Sequence, residues 1–224
     1  MTEESAPTIT PLGDSALLVT FGDGIDPGLS DRAHDLAAAV GRLRTGDARF
    51  GRAVPAYASV LVPFDPVAVE PDEARRIVAG LAAEPASRAG PRQAGSLIEI
   101  PVSYGGDDGP DLADVASLNG LRPDDVIELH AGTEYRVYFL GFAPGFGYMG
   151  PLPARIATPR LDAPRQRIPA GSVGIAGEQT GIYPFELPGG WRIIGRTDVS
   201  MWDLRRDSPA LLRAGDRVRF VPTR

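Results

Sequence analysis

The sequence predicts an α+β protein with two domains, a small α/β domain followed by a barrel-like domain rich in β-strands. Three observations support this fold class. Strand-like and helix-like segments alternate twice within the first 90 residues, as in a small α/β layer. A stretch rich in Pro, Gly, Ala and Ser follows. Beyond it, many short strands alternate with dense turns and only two short helices, which is typical of a barrel.

The first domain is predicted from four segments. The run ALLVTF (16–21) is rich in β-formers, and IDPGLSDRAHDLAAAVGRLR (25–44) carries apolar residues at helical spacing behind an Asp-Pro start. The run SVLVPF (59–64) is a second predicted strand. The segment PDEARRIVAGLAAE (71–84) is a second predicted helix, because it begins with Pro and has acids in its first turn.

The stretch EPASRAGPRQAG (84–95) is interpreted as a linker, because it lacks any hydrophobic period. We therefore place the two domains at residues 1–88 and 96–224. The linker between them is assigned to residues 89–95.

The second domain is predicted to begin with the strand SLIEIPVSYG (96–105). Two short helices follow, DLADVASLNG (111–120) and RPDDVIELHAG (122–132), the first with an Asp N-cap and a Gly stop. The segment EYRVYFLGF (134–142) alternates as a strand does. Further short strands are predicted at SVGIAG (172–177), GIYPFEL (181–187), WRIIGRT (191–197) and DRVRFVP (216–222).

Composition excludes several classes of function. The chain has no Cys, and all 23 basic residues are Arg. It therefore offers no thiolate nucleophile, Cys-based metal site, P-loop lysine or Schiff-base lysine. Biotin and pyridoxal phosphate also lack a lysine for attachment, so we expect no covalently bound cofactor, and we predict no metal site.

Charge and hydropathy limit the partners and the location. The net charge of −6 argues against nucleic acid as a partner. No apolar run is long enough for a membrane helix, and the first 25 residues lack a signal-peptide pattern. We therefore expect a cytoplasmic protein with no membrane partner.

The charge is unevenly distributed along the chain. Residues 1–150 hold 11 Arg and 22 Asp and Glu, a net −11, whereas residues 151–224 hold 12 Arg and 7 Asp and Glu, a net +5. This excess of arginine predicts attraction for a small anion or an acidic partner surface. The alternative is that these arginines are scattered and solvated.

His130 is a candidate for proton transfer. It lies at the end of a predicted short helix, where the helix C-terminus favours a protonated ring. As a general acid or base it is the first choice in this sequence. The alternative is a capping His whose ring bonds the last carbonyls of the helix.

The segment YFLGFAPGFGYMG (138–150) combines aromatic residues with Gly and Pro. We predict a strand that runs into a ligand-facing loop, where the backbone bends closely and flat side chains form walls. The alternative is a tight barrel corner with its aromatic side chains packed inward. The candidate wall residues are Phe142, Pro144, Gly145, Phe146, Tyr148 and, from a later segment, Trp191.

Two later segments, 158–184 and 188–197, supply candidate anion-binding groups. Arginine forks suit carboxylate or phosphate, and the run AGSVGIAG is expected to expose N–H groups as an anion nest. As a nucleotide fingerprint the run is weak, and 188–197 has a plain β-hairpin as its alternative. The candidates are Arg160, Arg165, Arg167, Arg196, Gly171, Ser172, Gly174, Gln179 and Thr180.

These motifs resemble a known family. GFAPGFGYMG, TPR…PRQRIPAGSVGIAGEQTGIYP and PGGWRIIGRT resemble the signature of the KipI/allophanate hydrolase subunit 1 family. PLGDSALLVTFGD and VPAYASVLVPFDP extend the resemblance over nearly the whole chain. It implies a small α/β domain followed by a cyclophilin-like β-barrel.

The resemblance also implies a function. The best-supported role of the family is the B-type component of ATP-dependent 5-oxoprolinase, an amide-bond hydrolase that converts 5-oxo-L-proline to L-glutamate. The implied partners are an allophanate hydrolase subunit 2 type of protein, which is the C-type component of 5-oxoprolinase, and a third, A-type component. The chain alone is expected to be inactive. Two alternatives stay open: a urea carboxylase or allophanate hydrolase type of carboxyltransferase component, and a KipI-like inhibitor of a sensor histidine kinase.

Roles for single residues follow from this resemblance. With 5-oxoproline as a small anionic substrate, Arg167 or Arg196 would bind its carboxylate or a phosphate. His130 and Tyr183 would handle protons or orient the substrate. His130, Tyr183 and Arg167 are therefore the catalytic candidates.

ATP and Mg are the implied cofactors, but the chain is poorly furnished for them. Asp162, Glu178 and Glu186 are the carboxylates present between residues 151 and 197, whereas a Mg-ATP site needs several such ligands. We therefore expect ATP with Mg to bind in the complex, at a site shared with the partner protein.

Overall fold

A computed structural model of the chain describes residues 6–84 and 95–223. The chain divides into two compact units, residues 1–93 and 94–224. The predicted linker at 89–95 lies outside the described residues, apart from Gly95. None of the described helices is both long and apolar enough to cross a membrane.

The first unit contains one antiparallel sheet and two helices. Its sheet has the strand order β1-β2-β4-β3. The elements are β1 (Thr8–Pro11), β2 (Ala16–Thr20), α1 (Pro27–Leu43), β3 (Val54–Pro55), β4 (Ser59–Pro63) and α2 (Pro71–Ala82). Asp26 caps α1 by accepting a hydrogen bond from the Leu29 N–H at 2.9 Å, which satisfies one of the free donors of a helix start.

Alternation explains how this unit builds its core. In β2 and β4 every second side chain is buried, because successive side chains of a strand point to opposite faces. The buried faces of strands and helices form a shared core that includes Leu17, Val19, Leu36, Val40, Val60, Val62 and Val78.

The second unit is built around a closed barrel of seven described strands. Their order is β10-β7-β6-β13-β5-β12-β9, and β8 pairs with β11 in a separate two-stranded ribbon. The strands are β5 (Leu97–Tyr104), β6 (Glu134–Leu140), β7 (Gly147–Gly150), β8 (Arg165–Ile168), β9 (Ser172–Ala176), β10 (Gln179–Ile182), β11 (Leu187–Gly189), β12 (Arg192–Arg196) and β13 (Arg217–Thr223). The helices are α3 (Leu112–Leu118), α4 (Pro123–Ala131) and a 3-10 turn at Ala154–Ile156.

The strand β13 closes the barrel between β5 and β6. It pairs in parallel with β5 over seven residues, from Arg217 opposite Leu97 to Thr223 opposite Ser103, and antiparallel with β6. The remaining barrel pairs are antiparallel. The interior is filled by apolar side chains that include Ile100, Val102, Val137, Val173, Ile194 and Phe220.

The structure confirms the predicted α+β fold with a barrel domain, and it corrects several elements. The segment 181–187 is not one strand, since β10 ends at Ile182 and β11 begins at Leu187. The strand β7 replaces part of the predicted loop, although two of its four residues are Gly. Glycine is needed there: a Cβ on Gly150 would lie 2.8 Å from the Glu178 carbonyl oxygen.

Candidate functional site

Five of the predicted site residues meet in one aromatic cluster. Phe146 is buried at its centre, and the rings of Phe142, Tyr148, Tyr183 and Trp191 surround it at centroid distances of 5.0–5.5 Å. All four pairs are edge-to-face, with interplanar angles of 64–80°, which is a favoured geometry for aromatic pairs. The cluster thus combines residues that are up to 49 positions apart in the sequence.

Phe142 is the exposed member of this cluster, and its backbone is strained. Its φ is +66°, and the Ala143 N–H donates to the Gly141 carbonyl at 2.7 Å. Residues 141–143 therefore form a γ-turn whose central residue has positive φ, a rare conformation for a bulky side chain. The Phe142 side chain remains 59% exposed, so the turn presents an aromatic ring to solvent.

Strain of this kind costs about 1–3 kcal/mol and clusters at binding sites. The loop is held by hydrogen bonds from Gly141 N–H to the Phe146 carbonyl and from Phe146 N–H to the Ala143 carbonyl. Gly145, at φ +83°, packs against the Met201 carbonyl oxygen, and Pro144 is exposed. Phe146 packs inward, as the barrel-corner alternative expects, while Phe142 points outward. That this loop faces a ligand stays a prediction.

Tyr183 places a polar atom inside the cluster. Its hydroxyl lies against Gly189, where a Cβ would come within 2.3 Å of the oxygen. Burial raises the pKa of Tyr183 to about 12, while a hydrogen bond from the Trp191 backbone and the charge of Arg160 oppose that rise. At neutral pH Tyr183 is therefore a neutral hydroxyl, suited to donating a hydrogen bond rather than to acting as a base.

The predicted arginines differ in what they contact. Arg167 is 82% exposed and lies 3.7 Å from Glu186, and the Arg196 Nε donates to the Ala170 carbonyl at 3.2 Å. Among the described residues, Arg160 makes no hydrogen bond or ion pair through its guanidinium, and it is exposed. Neither Arg167 nor Arg196 is a member of the aromatic cluster.

Arg196 instead borders a separate pocket of about 280 Å³. Two carboxylates, Asp108 and Asp198, also line this pocket, so its charge is mixed. The full lining is Pro101, Ser103, Asp108, Arg196, Thr197, Asp198 and Thr223. None of the aromatic cluster contributes to it.

The expectation that the run AGSVGIAG exposes N–H groups is wrong. Residues Ser172–Ala176 form β9, which is buried along its whole length. The Gly171 N–H donates to the Tyr183 carbonyl at 2.7 Å, and the Ser172 N–H donates to the Pro169 carbonyl at 3.3 Å. These donors are already satisfied inside the protein, so they do not form an anion nest.

The glycines of this run serve close packing within the barrel unit. A Cβ on Gly171 would lie 2.1 Å from the Thr197 carbonyl oxygen, and one on Gly174 would lie 3.2 Å from Trp191. Gln179 is half-buried at the start of β10, and Thr180 is fully buried. The geometry therefore gives Gly171, Gly174 and Thr180 structural positions.

His130 lies in the barrel core and is fully buried. The Thr180 hydroxyl donates to the Gly174 carbonyl at 3.1 Å, so it accepts from the His130 Nε2–H at 3.0 Å. The His130 Nδ1 then accepts from the Tyr104 hydroxyl at 2.7 Å. The ring also stacks on Phe220 at 4.5 Å.

This environment keeps the His130 ring neutral, because burial lowers its pKa to about 3. The expectation of a protonated ring at the helix end is therefore wrong. The capping alternative is wrong as well, since both ring nitrogens bond side chains from other elements. The geometry favours a structural role for His130 over a catalytic one.

Sequence reasoning missed the role of Asp111, which is buried at the start of α3. Its carboxylate accepts from the Arg165 Nη1 and Nη2 at 2.8 and 2.6 Å and from the Ile193 N–H at 2.6 Å. The predicted N-cap role fails, since its side chain makes no capping bond. Residues 107–114 hold four Asp, so the sequence does not single out Asp111, and its partners lie 54 and 82 positions away.

The described residues do not fit a complete Mg-ATP site. Across residues 6–84 and 95–223, no three His, Asp or Glu side chains gather as metal ligands. The chain has no lysine to grip a phosphate, and the glycine-rich N–H groups are already used.

Comparisons with known proteins identify a family and several similar proteins. Residues 7–212 match the family model of the carboxyltransferase domain, subdomain C and D. The B subunit of 5-oxoprolinase from Bacillus subtilis is 43% identical over 95% of this chain and 91% of its own length. The B subunit of 5-oxoprolinase from Escherichia coli O157:H7 is 60% identical over 56% of this chain and 58% of its own length.

A solved structure of urea amidolyase from Kluyveromyces lactis shares the fold. Its TM-score is 0.81 at 22% identity, and the match covers 97% of this chain but 15% of that much longer chain. At this identity the likeness supports the architecture alone.

Proposed function

The chain belongs to the family of the carboxyltransferase domain, subdomain C and D, and we propose that it is the B-type subunit of a 5-oxoprolinase. The observation that carries this proposal is the 43% identity to the Bacillus subtilis protein of that name, which extends over nearly the full length of both chains.

The proposed complex hydrolyses the lactam bond of 5-oxo-L-proline to give L-glutamate, with hydrolysis of ATP. Its other members are a C-type protein and an A-type protein, and the chain alone has no turnover. Because the described residues do not fit Mg-ATP, we place the nucleotide on or beside the partner. Since the reaction uses ATP, we place the complex in the cytoplasm.

The aromatic cluster supports a substrate-holding role for this chain. Phe146, Trp191 and Tyr183 are buried and exclude water from one side of the cluster. The exposed Phe142 and the half-buried Tyr148 present their rings on the other side. Arg160 adds an uncompensated positive charge next to these rings. A small anion with an uncharged ring fits this combination better than a nucleotide does.

Reconstitution tests the proposal. The chain is assayed for ATP-dependent glutamate release from 5-oxoproline alone, with its C-type partner, and with all three components. Turnover restricted to the full mixture is the expected result. A stable three-component complex without glutamate release would contradict the proposal.

The family match itself favours a second candidate, a carboxyltransferase component of the urea carboxylase type. This chain has no lysine for biotin, so a separate biotinylated carrier protein would have to deliver the carboxyl group. Transfer from such a carrier to urea, without glutamate release from 5-oxoproline, would identify this function instead.

A further inference from the structure

We propose that Arg160 recognises the carboxylate of the substrate, and that the neighbouring, half-buried Tyr148 receives a small uncharged ring attached to that carboxylate. This inference rests on the proposed function, and it names the group that selects the substrate. It also replaces Arg167 and Arg196 as the carboxylate-binding candidates.

The guanidinium of Arg160 differs from those of the other candidate arginines in its contacts. Arg165 is held in a two-pronged contact with the buried Asp111, Arg167 lies beside Glu186, and Arg196 bonds a backbone carbonyl. Arg160 alone among these four has no hydrogen bond or ion pair from its guanidinium within the described residues. Binding a carboxylate at Arg160 would therefore break no existing contact.

The backbone around Arg160 is fixed at three points. The Thr158 carbonyl accepts from the Gly177 N–H at 2.7 Å, and the Leu161 N–H donates to the Gly190 carbonyl at 2.8 Å. Between them, the Pro159 carbonyl accepts from the Arg192 Nε at 3.0 Å. A side chain on such a fixed segment loses less entropy on binding than one on a free loop.

These contacts place Arg160 beside the aromatic cluster. Its Cβ lies 3.9 Å from the position a Cβ on Gly190 would occupy, next to Trp191. Its charge also acts on the hydroxyls of both Tyr148 and Tyr183, opposing the rise that burial causes in their pKa. The Arg160 side chain therefore lies close enough to both tyrosines for its charge to act on them.

The groups around Arg160 suit a carboxylate attached to a small neutral ring. A planar guanidinium binds a carboxylate through two parallel hydrogen bonds. A phosphate chain would need further cations or free N–H groups, and the N–H groups of Gly171 and Ser172 are already used. The half-buried ring of Tyr148 offers apolar surface to a ligand, whereas the fully buried Tyr183 packs behind it inside the cluster.

The test compares two lactams on two variants. Isothermal titration of the assembled complex measures binding of 5-oxoproline and of 2-pyrrolidinone, which is the same ring without the carboxylate. The variant is Arg160→Gln, and the matched control is Arg155→Gln, since Arg155 is also exposed and lies outside the cluster. ATP is titrated as a third ligand.

We expect Arg160→Gln to weaken 5-oxoproline binding by about 10- to 100-fold, the usual effect of losing hydrogen bonds to a charged group. Binding of 2-pyrrolidinone and ATP should stay unchanged, and Arg155→Gln should bind all three as wild type does. In turnover assays the KM for 5-oxoproline should rise by a similar factor while kcat changes much less.

Three results would overturn the inference: equal weakening of both lactams, unchanged 5-oxoproline binding, or selective loss of ATP binding, which would make Arg160 a phosphate contact. Absence of 5-oxoproline binding to the wild-type complex would also overturn it. If 5-oxoproline binds in an Arg160-dependent way but glutamate is not released, the proposed function fails while the carboxylate site stands.

Discussion

Replacement of Asp111 by Asn should destabilise the barrel unit strongly. The Asp111 carboxylate is buried and accepts three hydrogen bonds, two from Arg165 and one from the Ile193 N–H. Asn keeps one acceptor oxygen and turns an NH₂ group toward a donor. Breaking a buried ion pair costs about 3–5 kcal/mol. Because the Arg165 side chain is 33% exposed and can regain water, we expect a loss of about 2–4 kcal/mol.

Tryptophan fluorescence reports the unfolding of the second unit, because Trp191 and Trp202 both lie in residues 94–224. Urea unfolding followed at these residues should give the free energy directly. The melting temperature should fall by roughly 6–14 °C for a unit of this size. The control is Asp207→Asn, the same chemical change at an exposed position, which should shift stability by less than about 0.5 kcal/mol. A loss below about 1 kcal/mol for Asp111→Asn would refute the assigned role of this carboxylate.

Three further predictions concern single residues of the second unit. Because burial lowers the pKa of His130 to about 3, the unfolded chain takes up a proton between about pH 6.5 and 3 that the folded unit does not. The free energy of unfolding should therefore fall with falling pH by up to about 1.4 kcal/mol per pH unit. This pH dependence should be absent from His130→Gln, and a slope equal to that of wild type would contradict the assignment of a buried neutral ring. A Cβ at Gly189 would lie 2.3 Å from the Tyr183 hydroxyl, so Gly189→Ala should cost about 1–3 kcal/mol in urea unfolding, whereas Gly190→Ala, with contacts no closer than 3.7 Å, should cost less. Phe142→Asn should leave stability within about 1 kcal/mol of wild type, since Asn tolerates positive φ, yet it should lower glutamate release by the complex; a loss above about 2 kcal/mol would show that the ring is mainly structural.

Local patterns predicted the fold class because each element carries its own signal. The β-forming apolar run in 59–64 and the helical spacing in 25–44 are visible without knowledge of any partner. The same holds for the strand at 134–142, which the structure places at Glu134–Leu140. The turn chemistry of 138–150 likewise indicated a strand running into a loop.

The environment of single residues could not be predicted in this way. The position of His130 at a helix end suggested a protonated ring, but its burial comes from Phe220 and Thr180, which lie far along the chain. Glycines indicate close approach, and the sequence does not say to what. At Gly171 the neighbour is the Thr197 carbonyl of the same unit. Asp111 was assigned to the right helix start, but its real partners are distant in sequence.

The way β13 closes the barrel has a consequence for how the protein is made. β13 is the last barrel strand to be synthesised, yet it fills the gap between β5 and β6, and its pairing with β5 joins residues 120 positions apart. Until it arrives, the nascent unit exposes two open strand edges, which are sites of unwanted pairing between chains. The first unit, by contrast, can fold as soon as it leaves the ribosome. Translation therefore produces a first unit that can fold while the barrel stays open, and the barrel can close only once β13 has been synthesised.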